Sequence, residues 1–169
     1  MGLVAHSACF ALASIVFASA VFQPQTGTPA VIAVSGCRTA QLRATLGGQN
    51  SGVGSIFTTI VLRNVGRQSC SVTGYPGISL VDGARRQIGR PARWDAGVVR
   101  WFTLRPGEAA STAVHSLNPG TGTTNCLPPS TALRVYPPNA RTALLVPARL
   151  SDCLGTLGVT PLVPGTNGL

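Results

Sequence analysis

The sequence predicts an all-β fold, an antiparallel sandwich of about eight or nine strands held by two disulfides. Three observations lead there. Turn formers are dense, with 20 Gly and 13 Pro in 169 residues. Charged residues make up only 10%, with no Lys and a single Glu, so long amphipathic helices lack their usual polar face. Short runs of β-branched and aromatic residues recur between Gly, Pro, Asn and Asp. At 44% hydrophobic, the chain is too apolar to be disordered.

The chain opens on "MGLVAH", followed by the apolar run "ACFALASIVFASA" over residues 8–20, the length of a signal-peptide core. Ala18-Ser19-Ala20 is a small-x-small cleavage site, and polar "QPQTGTP" follows. The run is too short for a comfortable membrane span. Residues 1–20 therefore read as a signal peptide, despite an n-region without Lys or Arg, and 21–35 as a Pro/Thr/Gly linker. The alternative is an N-terminus retained as an anchor. "VSGC", residues 34–37, also matches a lipobox. A lipobox directly follows the apolar run, however, and here about a dozen residues intervene. Residues 36–164 are the domain and 165–169 a tail.

Within the domain, "QLRATLG" alternates Leu42, Ala44 and Leu46 as a strand. "SIFTTIVLRNV" fills positions 56–62 with β-branched and apolar residues, as a central strand would. Asn64 to Arg67 form a turn, and "SCSVTGY" is a short strand paired back on the one before. "GISLVD" is closed by the Asp82-Gly83 turn. A polar connection leads to "GVVRWFTL", which ends at Arg105-Pro106-Gly107. "EAASTAVHSL" continues with small and β-branched residues, and "NPGTGTTNC" is a loop. "ALRVYPP", "TALLVPA" and "LGVTPLVP" complete the strands. Trp101 has the better strand context of the two tryptophans for a place in the core, and Trp94 reads as surface.

Cleavage after Ala20 leaves Cys37, Cys70, Cys126 and Cys153. Four cysteines in an exported chain read as two disulfides with three connectivities. Sequential pairing would close loops of about 30 residues each, worth roughly 3–4 kcal/mol apiece in the chain-entropy view. No C-x-x-C spacing supports a thioredoxin-like or zinc-ribbon site. Beyond residue 20 there is one histidine, His115, and no methionine, so neither zinc nor copper is implied, and no cofactor.

Net charge is +9 and every basic side chain is Arg. Base-composition bias plus an ordinary solvated face explains this without function. The functional reading is attraction to an anionic partner. Arg85, Arg86, Arg90 and Arg93, with Trp94, form a candidate basic–aromatic patch for a glycan or anionic polymer. Aromatic content of 5% and the lack of a binding motif argue against nucleic acid. The four acids, Asp82, Asp95, Glu108 and Asp152, form no local cluster. His115 with a serine and an Asp would make a hydrolase triad, but no G-x-S-x-G elbow is present. The plainer reading is a strand histidine with an ordinary partner. Tyr75 reads as a turn aromatic beneath the sandwich end.

The succession of Cys37, "VLRNVGRQSCSVTGYPGISLVD", "LRPGEAASTAV", "CLPPSTALRVYPP" and Cys153 with "VTPLVPG" resembles an actinobacterial exported family called domain of unknown function 4232. Its most specific part is "N-x-G-x-x-x-C-x-x-x-G-Y-P-G", from Asn64 to Gly77, and the likeness spans roughly residues 36–164. The resemblance implies an immunoglobulin-like sandwich and the pairs Cys37–Cys70 and Cys126–Cys153. It carries no catalytic residues. The expectation is a non-catalytic, secreted or cell-envelope binding or structural module. Its partner would be an anionic envelope polymer, a glycan or another envelope protein. The membrane would be met only through a transient signal or a lipid anchor. A lipid-anchored protein with the same domain, and a hydrolase using His115, are the alternatives.

Overall fold

The computed structural model divides the chain into two units, Met1–Ile32 and Ala33–Leu169. It describes Gly2 and residues 34–52, 54–119 and 125–168. The expected signal peptide and nearly all of the linker lie outside the described residues. All the described strands belong to the second unit.

A short 3-10 turn, Thr39–Gln41, leads into twelve strands among the described residues. They are β1 (Leu42–Gly52), β2 (Ser55–Asn64), β3 (Cys70–Thr73), β4 (Gly77–Val81), β5 (Gln87–Ile88) and β6 (Arg93–Trp94). Then come β7 (Trp101–Leu104), β8 (Ala109–Leu117), β9 (Ala132–Tyr136), β10 (Leu144–Pro147), β11 (Gly158–Val159) and β12 (Val163–Pro164). Eight have four or more residues, and the other four are two-residue strands.

A six-stranded sheet runs β1-β2-β8-β11-β6, with β12 also on β8. A four-stranded sheet runs β10-β9-β4-β5, and β3 pairs with β7. Pairing is antiparallel except at β11–β6, which is parallel. Inward side chains of both larger sheets make one aliphatic core, including Ile60 and Leu62 from β2, Ile78 and Leu80 from β4, and Leu133 and Val135 from β9. That shared core is what makes the fold a sandwich. β2 is central, with β1 on one side and β8 on the other, and its residues 58–62 are buried on both faces. Part of the outer face is covered by the C-terminal tail, where Gly168 N donates to Ser111 Oγ at 2.9 Å.

Two expectations are corrected. β3 does not pair back on β2; it lies antiparallel to β7, with Cys70 opposite Leu104. Asn64 explains the departure, because its Nδ2 donates to both Gln68 O and Leu104 O at 2.9 Å and so ties the turn after β2 to β7. Trp101 is not a core residue but 62% exposed. Alternate residues of a strand face opposite sides. In β7 that parity sends Phe102 and Leu104 inward and leaves Trp101 outside. Strand pairing in "GVVRWFTL" begins only at Trp101, so residues 97–100 are unpaired.

The disulfides join Cys37 to Cys70 and Cys126 to Cys153. The first fixes the start of the domain beside β3, where Gly36 bridges Ser71. The second joins the segment before β9 to the one before β11.

Candidate functional site

The segment from Asp82 to Trp101 carries the candidate residues. Its first turn is organised by Asp82, whose Oδ1 accepts from Ala84 N at 2.9 Å and Arg86 N at 2.8 Å. The Arg86 guanidinium donates to Asp82 Oδ2 at 2.9 Å. The Arg86 backbone N–H, aided by its guanidinium, holds the Asp82 carboxyl below the usual carboxylate range. Arg85 takes the left-handed conformation at the turn, φ 62°, and its carbonyl accepts from Arg134 Nη2 at 2.6 Å.

From β5 the chain crosses between sheets. Ala92 N donates to Ile78 O at 2.8 Å, beside the four-stranded sheet. Arg93 N then donates to Leu157 O at 2.9 Å and Asp95 N to Val159 O at 3.0 Å, which makes β6 an edge of the six-stranded sheet. Arg90 and Arg93 line a cleft of about 500 Å³ with Gly89, Leu127, Leu154 and Asp152. Asp152 is buried, and its Oδ1 accepts from Leu157 N at 3.0 Å, so this acid supports the cleft wall. Gly89 is required there: its φ is 67°, and a Cβ would collide with Leu127.

Trp94 is 69% exposed and stacks on Tyr75, with ring centroids 5.1 Å apart and planes at 10°. The Tyr75 hydroxyl donates to Asp95 O at 2.6 Å, and the ring packs against the core. The structure thus brings Arg90 and Arg93 together at one cleft. It ties Arg86 to Asp82 and places Trp94 on Tyr75. Arg93 and Trp94, successive in β6, point to opposite sides of that strand.

The pairing that sequence reasoning missed is His115 with Asp95. His115 Nε2 lies 2.8 Å from Asp95 Oδ2, both side chains about a quarter to a third exposed. The imidazole also packs against Phe57, ring centroids 5.2 Å apart. Among the described residues no serine hydroxyl hydrogen-bonds to His115. A larger cleft of about 820 Å³ lies elsewhere, lined by Cys37, Arg38, Leu42, Val72, Arg141 and Leu144 among others. Neither cleft is lined by His115. Among the described residues there is no group of three or more His, Cys, Asp or Glu suited to a metal ion, and no helix long and apolar enough to cross a membrane.

A model of the family described as "Domain of unknown function (DUF4232)" matches residues 37–163. No curated protein and no solved structure matches the chain.

Proposed function

The chain belongs to the family of the domain of unknown function DUF4232, and from that premise we propose that it is a non-catalytic module of the cell envelope that binds an anionic polymer. The observation that carries this reading is the disposition of charge. The chain has 13 Arg and four acids. Each acid has a partner inside the fold: Asp82 with Arg86, Asp95 with His115, Glu108 with Arg105, and Asp152 with the Leu157 backbone. Arg90 and Arg93, exposed at one cleft, face no exposed carboxylate among its lining residues. A surface of one sign around a concavity attracts and concentrates polyanions. Two disulfides and the apolar run over residues 8–20 support export. Lipid anchoring through Cys37, the alternative, competes for the sulfur that bonds Cys70.

The test is binding of the oxidised chain to a polyphosphodiester wall polymer and to a uronic-acid polysaccharide, at several salt concentrations. Salt-sensitive binding, weakened about tenfold or more by Arg90→Ala with Arg93→Ala, is the expected result. Binding to neither polymer, or binding untouched by that double substitution, overturns the reading.

A further inference from the structure

Four large apolar side chains stand exposed within eight residues: Trp94, Val98, Val99 and Trp101, each 50% exposed or more. Residues 96–101 are exposed without interruption, and 97–100 pair with no strand. Single exposed hydrophobic residues are ordinary, but four in one short segment mark a contact surface. The segment is fixed at its root. Asp95 N is held by Val159 O, Asp95 O by the Tyr75 hydroxyl, and the Asp95 carboxylate by His115. Gly97 lies so close over Pro161 that a Cβ would come within 2.7 Å of its ring. Beyond that clamp the two valines stand out in solvent.

The charge beside this tip is positive. Exposed Arg100 stands between Val99 and Trp101, and the only acid of the segment, Asp95, is turned to His115. We infer that residues 94–101 dock the domain on an anionic lipid surface, with Val98, Val99 and the tryptophans entering the headgroup–acyl boundary and Arg100 meeting phosphate. Tryptophan favours that boundary, and basic residues beside an apolar insertion add attraction to anionic lipid. A soluble polyanion would engage Arg100 and leave the valines without a role. A second copy of this chain would have to offer an acid to Arg100, and its four acids are already engaged. The inference goes beyond the polymer-binding function above, since it stands on Val98, Val99 and Trp101 rather than on the Arg90 and Arg93 cleft.

The chain has two tryptophans, and both lie in this segment. Their fluorescence therefore reports on it alone and is silent about residues 8–20, which hold no tryptophan. The experiment adds the oxidised full chain to vesicles of phosphatidylcholine with phosphatidylglycerol, to vesicles of phosphatidylcholine alone, and to soluble polyphosphate. Acyl-chain-brominated lipids serve as the quencher. A blue shift and quenching with the anionic vesicles only are expected. Val98→Ser with Val99→Ser should weaken that response about tenfold or more, and so should Arg100→Glu. All three side chains are exposed, so the fold tolerates these changes. No quenching with either vesicle, equal quenching without anionic lipid, or the same shift with polyphosphate overturns the inference. A chain that holds wall polymer and ignores vesicles sinks this inference alone. One that binds vesicles and no polymer sinks the earlier reading alone.

Discussion

His115 and Asp95 meet over the backbone of Gly158: the imidazole Nε2 lies 2.8 Å from the carboxylate, while Gly158 is paired with His115 on one side and Arg93 on the other. A Cβ on Gly158 would collide with His115 Nε2 and come within 2.6 Å of Asp95 Oδ1. Both obstacles are side-chain ends, so they can yield, and the His115–Asp95 hydrogen bond is what gives way. Gly158→Ala is therefore expected to cost about 1–2 kcal/mol, read as a lower urea midpoint. The His115 ring resonances should move at the same time. Asp95→Asn should remove much of the same energy, and the two changes together should fall short of additive. Full additivity would show that Gly158 acts on something other than the pair.

Asn64 is fully buried at the end of β2 and uses its whole side chain. Its amide donates to Gln68 O and Leu104 O, and its Oδ1 accepts from Gly66 N at 2.9 Å. Its backbone N donates to Glu108 O and its carbonyl accepts from Gly107 N. Asn64→Ala strands the buried Leu104 carbonyl and takes a partner from the Gln68 carbonyl and the Gly66 N–H, and should cost about 2–4 kcal/mol by equilibrium unfolding. Asn64→Asp keeps the shape and the acceptor but loses both donors. It too should destabilise, which separates lost hydrogen bonds from a lost volume. A neutral Asn64→Asp would contradict the role given to the two donors.

Legibility in the sequence depended on how far each signal reaches along the chain. β2 announced itself because seven successive β-branched and apolar residues admit little else. The Asp82-Gly83 turn was equally local. Trp101 was misread because a four-residue strand does not declare which parity faces inward, and the structure resolves it in favour of Phe102 and Leu104. β5, β6, β11 and β12 are two residues each, too short to hold a period. The partner of β3 depends on a buried Asn reaching β7, 40 residues on. The same limit hid His115 and Asp95, which are 20 residues apart and meet only through the order β6-β11-β8. The exposed arginines were visible in the sequence, but not that Arg86 is committed to Asp82 while Arg90 and Arg93 share a cleft.

Acid should act on the turn at Asp82. Its folded pKa is lowered, chiefly by the Arg86 backbone N–H, with the guanidinium of the same residue assisting. A carboxyl with a lower folded than unfolded pKa contributes stability above its unfolded value. It loses that contribution as pH falls through the folded value. The urea midpoint of the wild-type chain should therefore fall between about pH 5 and pH 2, and Asp82→Asn should flatten that decline. An unchanged acid limb in Asp82→Asn would place the acid sensitivity elsewhere.

The two disulfides should be equal in stability and unequal in function. Cys37 and Cys70 are 33 residues apart, Cys126 and Cys153 27 apart. Loop entropy depends only weakly on such a difference, so either double Cys→Ser variant should lose roughly 3–4 kcal/mol. Their places in the fold differ. Asn125, Leu127 and Leu154, neighbours of the second disulfide, help line the Arg90 and Arg93 cleft. Cys37 instead lines the larger cleft beside the start of the domain. Cys126→Ser with Cys153→Ser should therefore weaken polyanion binding beyond what its lost stability explains, measured well below the unfolding temperature. Cys37→Ser with Cys70→Ser should leave that binding close to wild type. Alkylation with mass measurement supplies the control: no label before reduction and four labels on Cys37, Cys70, Cys126 and Cys153 afterwards, once residues 1–20 with Cys9 are removed. If both variants lost polymer binding in proportion to stability alone, the second disulfide would be a staple like the first, and the cleft would owe its shape to the strands.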